Sequence, residues 1–460
     1  MYSFIRAYHS PKFITFLRLG TFQMRVNTLS WEVLLKYIIM KKSLYNILIP
    51  YKDKTIIFNT LQNKVLAIFK TDVSIWGLNE DSKFDDLDDR IKKILVEKGI
   101  YVSDNTDELE IVRNHLRKTN ESNENFTIII NPTLKCNFSC WYCYENHSEQ
   151  KRMNREDLAS IEALIYKESA DERIKTFNIQ FFGGEPTLCF NSIIQPLLED
   201  LSQHPLKNKQ QIFLGMTTNG YLLNDKIIKL FSKFHSNFEI TLDGNRSRHN
   251  QVRFSYKGQN TYDTILRNIM KSLSSNIKVT LRLNISEDTN LDVNQLLTDI
   301  EGLAKYNHNL TISIQKIWQA NDSVNKSIKR ICESLRQQGF NGETAPFTSM
   351  DSTCYADKNN EVVINPGGKI YKCTARDFGT EQSEGYLTAD GGLSWNQRHT
   401  LRENATPLNN STCRICKLLP ICIGGCSQKI LEANNNDCPL HKDSKDKLRY
   451  AKEYLFNELD

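Results

Sequence analysis

No apolar run in this 460-residue sequence is long enough to cross a bilayer, and no hydrophobic stretch near its start precedes a small-residue cleavage site. Arg6, Lys12, Arg18 and Arg25 interrupt the apolar residues of the first forty positions, which leaves room for one short amphipathic helix over 30–39. Residues 1–39 therefore read as an extension, with Met40 a plausible native start. Charge of one sign is equally scarce: 59 Lys and Arg against 54 Asp and Glu give a formal net charge of +5. So weak a balance over so long a chain argues against a nucleic-acid partner and against a membrane surface. Without an export signal a cytoplasmic protein is expected. In a reducing compartment, clustered cysteines signal metal or redox chemistry rather than disulfides.

Cysteine is what the chain does have. Ten of its twelve cysteines fall into two spaced arrays. The first is Cys136-x3-Cys140-x2-Cys143, and the second runs through Cys354, Cys373, Cys413, Cys416, Cys422, Cys426 and Cys438. Three thiolates on one short loop can hold three irons of a cubane cluster and leave the fourth open, which suits reaction chemistry better than structural stapling. Taken alone, the Cys413–Cys426 run would equally suit a structural zinc site. Cys189 and Cys332 match neither array and read as buried free thiols.

At this length two or three domains with their own cores are expected. Over 40–118, NILIPY, KTIIF and KVLAIF read as strands, DLDDRIKKILVEKG and DELEIVRNHLRK as helices, and IYVS as a short strand between them. Together they suggest a winged-helix-like domain, followed by a linker over 119–125. From 126 to 320, six strands alternate with helices: FTIIIN, FNIQFF, QIFLGMT, FEITLD, KVTLRLN and LTISIQ. Alternation predicts a parallel sheet with right-handed crossovers, and six units rather than eight predict an open, partial barrel. Chemistry in such folds sits at the carboxyl ends of the strands. Cys136, Gly183-Gly184-Glu185-Pro186, Thr218-Asn219-Gly220 and Asp243-Gly244 follow strands one to four in turn, so four polar motifs converge on one rim. A connecting segment covers 321–349. The loop-rich 350–460 contains a hairpin turning at Pro366-Gly367-Gly368 and a terminal helix, and bound metal is expected to supply much of its folding free energy.

The C-x3-C-x2-C loop after strand one, G-G-E-P after strand two and the sixfold β/α pattern together resemble the radical S-adenosylmethionine (SAM) enzymes. Cys354-x13-Gly368-x4-Cys373, Cys413-x2-Cys416-x5-Cys422-x3-Cys426 and Cys438 resemble the superfamily's auxiliary-cluster extension, the SPASM domain. The likeness spans about 126 to 450. It implies that Cys136, Cys140 and Cys143 ligate a [4Fe–4S] cluster whose open iron binds SAM. Tyr142 stands where the family places an aromatic near the adenine, and Gly183, Gly184 and Glu185 where it contacts the methionine amino group. Thr218 and Asn219 lie at the same rim. TLDGNRSRHNQVRF resembles a family segment giving Asp243, His249 and Arg253, with Asn250 in place of the usual Asp and Thr241 in place of the usual Ser. The resemblance further assigns Cys413, Cys416, Cys422 and Cys438 to one auxiliary cluster and Cys354, Cys373 and Cys426 to another. The latter is left with an open iron unless Cys332 completes it.

Such enzymes cleave SAM reductively to a 5′-deoxyadenosyl radical that abstracts hydrogen from a substrate carbon, so positioning matters more than acid–base strength. The expected function is maturation of a ribosomally made precursor peptide by a thioether or carbon–carbon crosslink. Region 40–118 would recognise the leader by strand addition, and a flavodoxin or ferredoxin would donate electrons under low oxygen. The alternative is anaerobic sulfatase maturation, which forms formylglycine. Those enzymes carry an Asp directly after the cysteine aligned with Cys373, where this chain has Thr374, with Asp377 three residues further on.

Overall fold

The computed structural model describes residues 15–16 and 39–457, except 80, 146, 148–150, 288–292, 345–348, 377, 434–437 and 439–442. All but the last residue of the helix expected over 30–39 lies outside these, as does Asp377. The described residues form two compact units, one of 122–346 and 358–400, the other of 15–16, 39–121, 347–357 and 401–457. Among them no helix is long and apolar enough to cross a membrane.

The first unit is the barrel. Its six strands are β1 (Asn125–Ile130), β2 (Thr176–Phe181), β3 (Gln211–Thr218), β4 (His235–Thr241), β5 (Lys278–Ile285) and β6 (Leu310–Lys316). They lie in sequence order and every neighbouring pair is parallel. The α/β fold with a mostly parallel sheet is thus the one expected. Two further parallel strands were not. Gly342–Thr344 runs parallel outside β6, and Glu361–Ile364 runs parallel beside β1. The Pro366 hairpin therefore extends the barrel sheet, and the segment containing it belongs to the barrel unit rather than to one 350–460 domain. Asp157 fixes this join: one carboxylate oxygen closes a capping box with Asn154, and the other accepts from the Gly367 amide at 3.0 Å.

Strand alternation divides the sheet chemically. Phe177, Ile179, Phe181, Leu281, Leu283, Ile312 and Ile314 are buried in the core. Their alternates Asn178, Gln180, Glu239, Arg282, Asn284, Ser313 and Gln315 are polar and only partly buried. Parallel strands are ordinarily apolar on both faces, so a polar face marks a lumen meant to be wet or liganded.

In the second unit, Asn46–Tyr51, Lys54–Asn59 and Lys64–Phe69 form an antiparallel meander, and Thr15–Phe16 runs parallel to Leu66–Ala67 at its edge. Met40–Lys42 pairs with Tyr101–Ser103. One face of the meander (Ile57, Leu66, Ile68) packs on Trp76, Phe84, Ile91 and Leu95. The other (Ile56, Phe58, Val65, Ala67) packs on Leu418, Ile421, Ala451, Tyr454 and Leu455. Within 40–118 one face of the meander is covered by Trp76, Phe84 and the helix bearing Ile91 and Leu95; the second is covered by residues from the distant cysteine region. That is why 40–118 and 401–457 make one unit. The linker is also shorter than expected, because the helix Glu108–Asn120 runs into it.

Candidate active site

Cys136, Cys140 and Cys143 follow β1 on one loop, and none is in a disulfide. Burial, reinforced by Glu185, pushes the Cys136 thiol up to about 12, and burial also raises Cys140. Holding these sulfurs as thiolates therefore requires a cationic partner, which an iron–sulfur cluster supplies. The G-G-E turn is pressed against this loop. The Gly184 amide donates to the Thr133 carbonyl (3.1 Å) and the Glu185 amide to the Lys135 carbonyl (3.0 Å). Gly183 has φ +97°, and a Cβ there would lie 2.6 Å from the Thr133 oxygen.

Glu185 is fully buried, and its carboxylate lies between β2 and β3. It accepts from the Thr187 amide (3.1 Å) and hydroxyl (2.5 Å), the Thr218 hydroxyl (2.8 Å) and the Asn219 amide (2.8 Å). The Asn219 side chain donates to Asn137 Oδ1 at 2.7 Å, which ties β3 to the cysteine loop. Sequence reasoning missed His147, whose Nδ1–H donates to the Leu134 carbonyl (2.8 Å), leaving Nε2 to accept from the Cys143 thiol at 3.4 Å. Its spacing, Cys143-x3-His147, was the available signal.

Asp243, Arg253 and Tyr142 converge. The Tyr142 hydroxyl donates to Asp243 Oδ2 and accepts from Arg253 Nη1 at 2.6 Å. The buried Arg253 Nε–H has no protein partner among the described residues, so a donor remains for an anionic group. His249 sits behind them, fully buried, with both nitrogens engaged inside the protein. Nδ1 accepts from the Asp243 amide (3.2 Å), and Thr261, whose one proton goes to the Arg253 carbonyl (2.6 Å), accepts from Nε2–H (3.0 Å). Asn250 accepts from the Thr261 and Tyr262 amides (3.0 and 3.1 Å), a role an Asp would fill equally.

Desolvation, with Arg253 adding to it, holds the His249 imidazole well below its usual range, so it stays neutral when folded. In the unfolded chain it protonates below about pH 6.5. The unfolded state then binds the extra proton, and stability falls by about 1.4 kcal/mol per pH unit below that point. Urea melts of the iron-free protein at pH 7.5 and 5.5 should show this loss, and His249→Gln should lessen it.

In the second unit, Cys413, Cys416, Cys422 and Cys438 line one small apolar cavity with Leu418, Leu419 and Lys447. Burial and the neighbouring thiols push Cys413 up to about 11 and Cys422 to about 12. Ile423, next to Cys422, is buried with φ +48°, a conformation a β-branched residue adopts only under constraint. Among the described residues no three His, Cys, Asp or Glu side chains converge to hold a single metal ion. Cys373 follows the hairpin and lies close enough to Tyr144 to raise its phenol, an effect in which burial and Glu145 are the larger causes. Cys354 and Cys426 are partly exposed. Cys332 is buried, its thiol donating to the Gly342 carbonyl at 3.2 Å, and Cys189 is in the barrel core.

Residues 130–300 match the family model of the radical SAM superfamily. The chain carries a radical SAM domain. Over 393 residues it is 23% identical to the radical SAM cyclopropyl synthase TigE of Paramaledivibacter caminithermalis, covering 75% of this chain and 79% of that one. It is 24% identical to the serine-type anaerobic sulfatase-maturating enzyme of Klebsiella aerogenes, covering 68% and 82%. Among solved structures, native anSMEcpe with bound AdoMet and Kp18Cys peptide matches with a TM-score of 0.54 at 18% identity, over 72% of this chain and 98% of that one. Streptococcus suis SuiB matches with 0.51 at 16%, over 88% and 99%. These likenesses show a shared radical SAM fold. The radical SAM domain implies a [4Fe–4S] cluster and SAM, and the thiol loop has the donor set such a cluster needs.

Proposed function

We propose that this radical SAM enzyme matures a ribosomally made precursor peptide, forming a thioether or carbon–carbon crosslink. The observation that carries the reading is the second thiol set. Four cysteines lining one apolar cavity give an all-sulfur donor set of the kind an iron–sulfur cluster needs, and an enzyme that oxidises a peptide radical needs a place for the electron. In this reading Cys413, Cys416, Cys422 and Cys438 hold one auxiliary cluster, and Cys354, Cys373 and Cys426 hold another with an open iron. The Cys332 thiol is already committed to Gly342. A relative named as a sulfatase-maturating enzyme supports modification of a polypeptide, and one named as a cyclopropyl synthase supports bond formation.

Cys136, Cys140 and Cys143 would hold the cluster, which when reduced would supply the electron for reductive cleavage of SAM. This chain's residues do the placing. Gly183 and Gly184 let backbone approach the SAM methionine group, Glu185 with Thr218 and Asn219 fixes that turn, and Arg253 offers its Nε–H to a carboxylate. Trp141 and Trp318 are exposed around the cysteine loop, Tyr144 keeps part of its ring at the surface while its hydroxyl end is buried, and together they give a peptide apolar surface at the mouth. Tyr144 and Trp318 lie 5.9 Å apart.

Residues 40–118 take the leader in this reading. The meander edge at Asn46–Tyr51 carries Pro50 and lies beside the terminal helix, with Tyr51 5.5 Å from Phe456. Strand addition is therefore assigned to the Lys64–Phe69 edge, which among the described residues pairs outward with Thr15–Phe16 at Leu66 and Ala67.

Anaerobic co-expression with short reading frames beside the gene, followed by intact-mass analysis, tests this. Loss of hydrogen pairs from the peptide, abolished by Cys140→Ala, is expected. An unmodified peptide alongside steady 5′-deoxyadenosine production would reject the pairing. Conversion of a sulfatase Cys or Ser to formylglycine would install the second reading, which the Klebsiella aerogenes relative favours and the buried Thr374 after Cys373 disfavours.

A further inference from the structure

Tyr142 sits between the second and third cysteines of the loop, so whatever holds it holds their spacing. Its hydroxyl has one proton and two lone pairs. The proton goes to Asp243 and one lone pair to Arg253. The other accepts from Asn284 Nδ2 at 3.3 Å, reaching in from β5. Arg282, two residues earlier on the same polar face, donates Nε–H to Asn284 Oδ1 at 2.9 Å and Nη1–H to Glu239 Oε1 of β4 at 3.2 Å.

The polarity of this chain is determined throughout. A guanidinium only donates, so Asn284 must turn its oxygen to Arg282 and its NH2 to Tyr142, and Tyr142 must then send its proton to Asp243. The Tyr142 backbone is pinned independently, its carbonyl accepting from Gln319 Nε2 at 3.1 Å in the segment after β6.

We infer that Asn284 and Arg282 are positioning residues that fix the cysteine loop through the Tyr142 hydroxyl, anchored on the Glu239 carboxylate. Neither touches a cysteine. They act by setting where Tyr142, and with it Cys140 and Cys143, comes to rest. The inference relies on reading those cysteines as cluster ligands, but its first test does not need the cluster.

Asn284→Asp isolates the link. The carboxylate still accepts from Arg282, so the lumen pairing with Glu239 survives, yet it has no proton to give Tyr142. Amide hydrogen exchange of residues 137–144 in the iron-free protein should rise about tenfold in Asn284→Asp and Asn284→Ala, as a loop loses one of its few tethers. Exchange in β5 itself should stay at the wild-type level in the Asp variant. After anaerobic reconstitution, the electron paramagnetic resonance spectrum of the reduced cluster with SAM should change in g values while iron content is retained. Wild-type exchange over 137–144 in both variants, or unchanged g values in both, would overturn the inference. A wild-type protein that takes up no iron at this loop would instead reject the cluster reading, and the exchange result would still decide the tether.

Discussion

Gly184→Ala should leave a folded protein that makes roughly 100-fold less 5′-deoxyadenosine. An alanine Cβ at this position would lie 2.4 Å from the Lys135 oxygen, 2.5 Å from its carbonyl carbon and 2.7 Å from the Leu134 oxygen. All three are backbone atoms of the run leading into Cys136, so no flexible side chain can yield and the turn or the cysteine loop must move. Overpacking of this kind costs about 1–3 kcal/mol, a tolerable loss for the barrel. The displacement itself does the damage, because radical transfer depends on distances held to a fraction of an ångström. Gly379→Ala provides the control, since a Cβ there meets nothing within 4 Å. Iron content, circular dichroism and 5′-deoxyadenosine yield, measured together, separate a misplaced cluster from an unfolded barrel. Equal yields in both variants would remove the G-G-E turn from the site.

Glu185→Ala should act on stability first, lowering it by about 3–5 kcal/mol in urea at pH 7.5. Four donors aim at this carboxylate, from Thr187, Thr218 and Asn219, and the group is fully buried. Removing it strands two backbone amides and leaves two hydroxyls to find other acceptors. Burial raises the Glu185 carboxyl while these hydrogen bonds favour its ionised form. Glu185→Gln fills the space but presents an NH2 to donors on one side, so about half of the loss should remain. A Glu185→Ala variant as stable as wild type would mean that the rim of β2 and β3 is held by other contacts.

The barrel was legible because its strands carry an unusual signal. FNIQF, KVTLRLNI and LTISIQ alternate strictly, and that period both locates a strand and sorts its faces. The cysteine loop and the glycine turn were legible by spacing alone. The partnership of Glu361–Ile364 with β1 was not, because EVVINPGGKIYKC is complete as a local hairpin and nothing in it names a third strand. Nor was the cover over the meander: Ile56, Phe58, Val65 and Ala67 announce a buried face without saying what buries it. At the site, Glu185 was expected to face the cofactor; that its carboxylate also accepts four bonds inside the rim, three of them on Oε1, was not visible in the sequence. Asn284 and Arg282 were visible only as polar residues in a parallel strand, an anomaly whose meaning depends on where Tyr142 comes to lie.

The meander's second face also has a history in time. Ile49, Ile56, Phe58, Val65 and Ala67 close against Leu418, Ile421, Ala451, Tyr454 and Leu455. At translation rates of about 5–20 residues per second, roughly 350 residues of intervening synthesis leave that apolar sheet uncovered for about 20–70 seconds. The nascent chain thus offers a ready surface for a chaperone, and for aggregation where none is supplied. Because the late-arriving segment also carries Cys413, Cys416 and Cys422, burial of the sheet and completion of that thiol cavity are coupled in biogenesis.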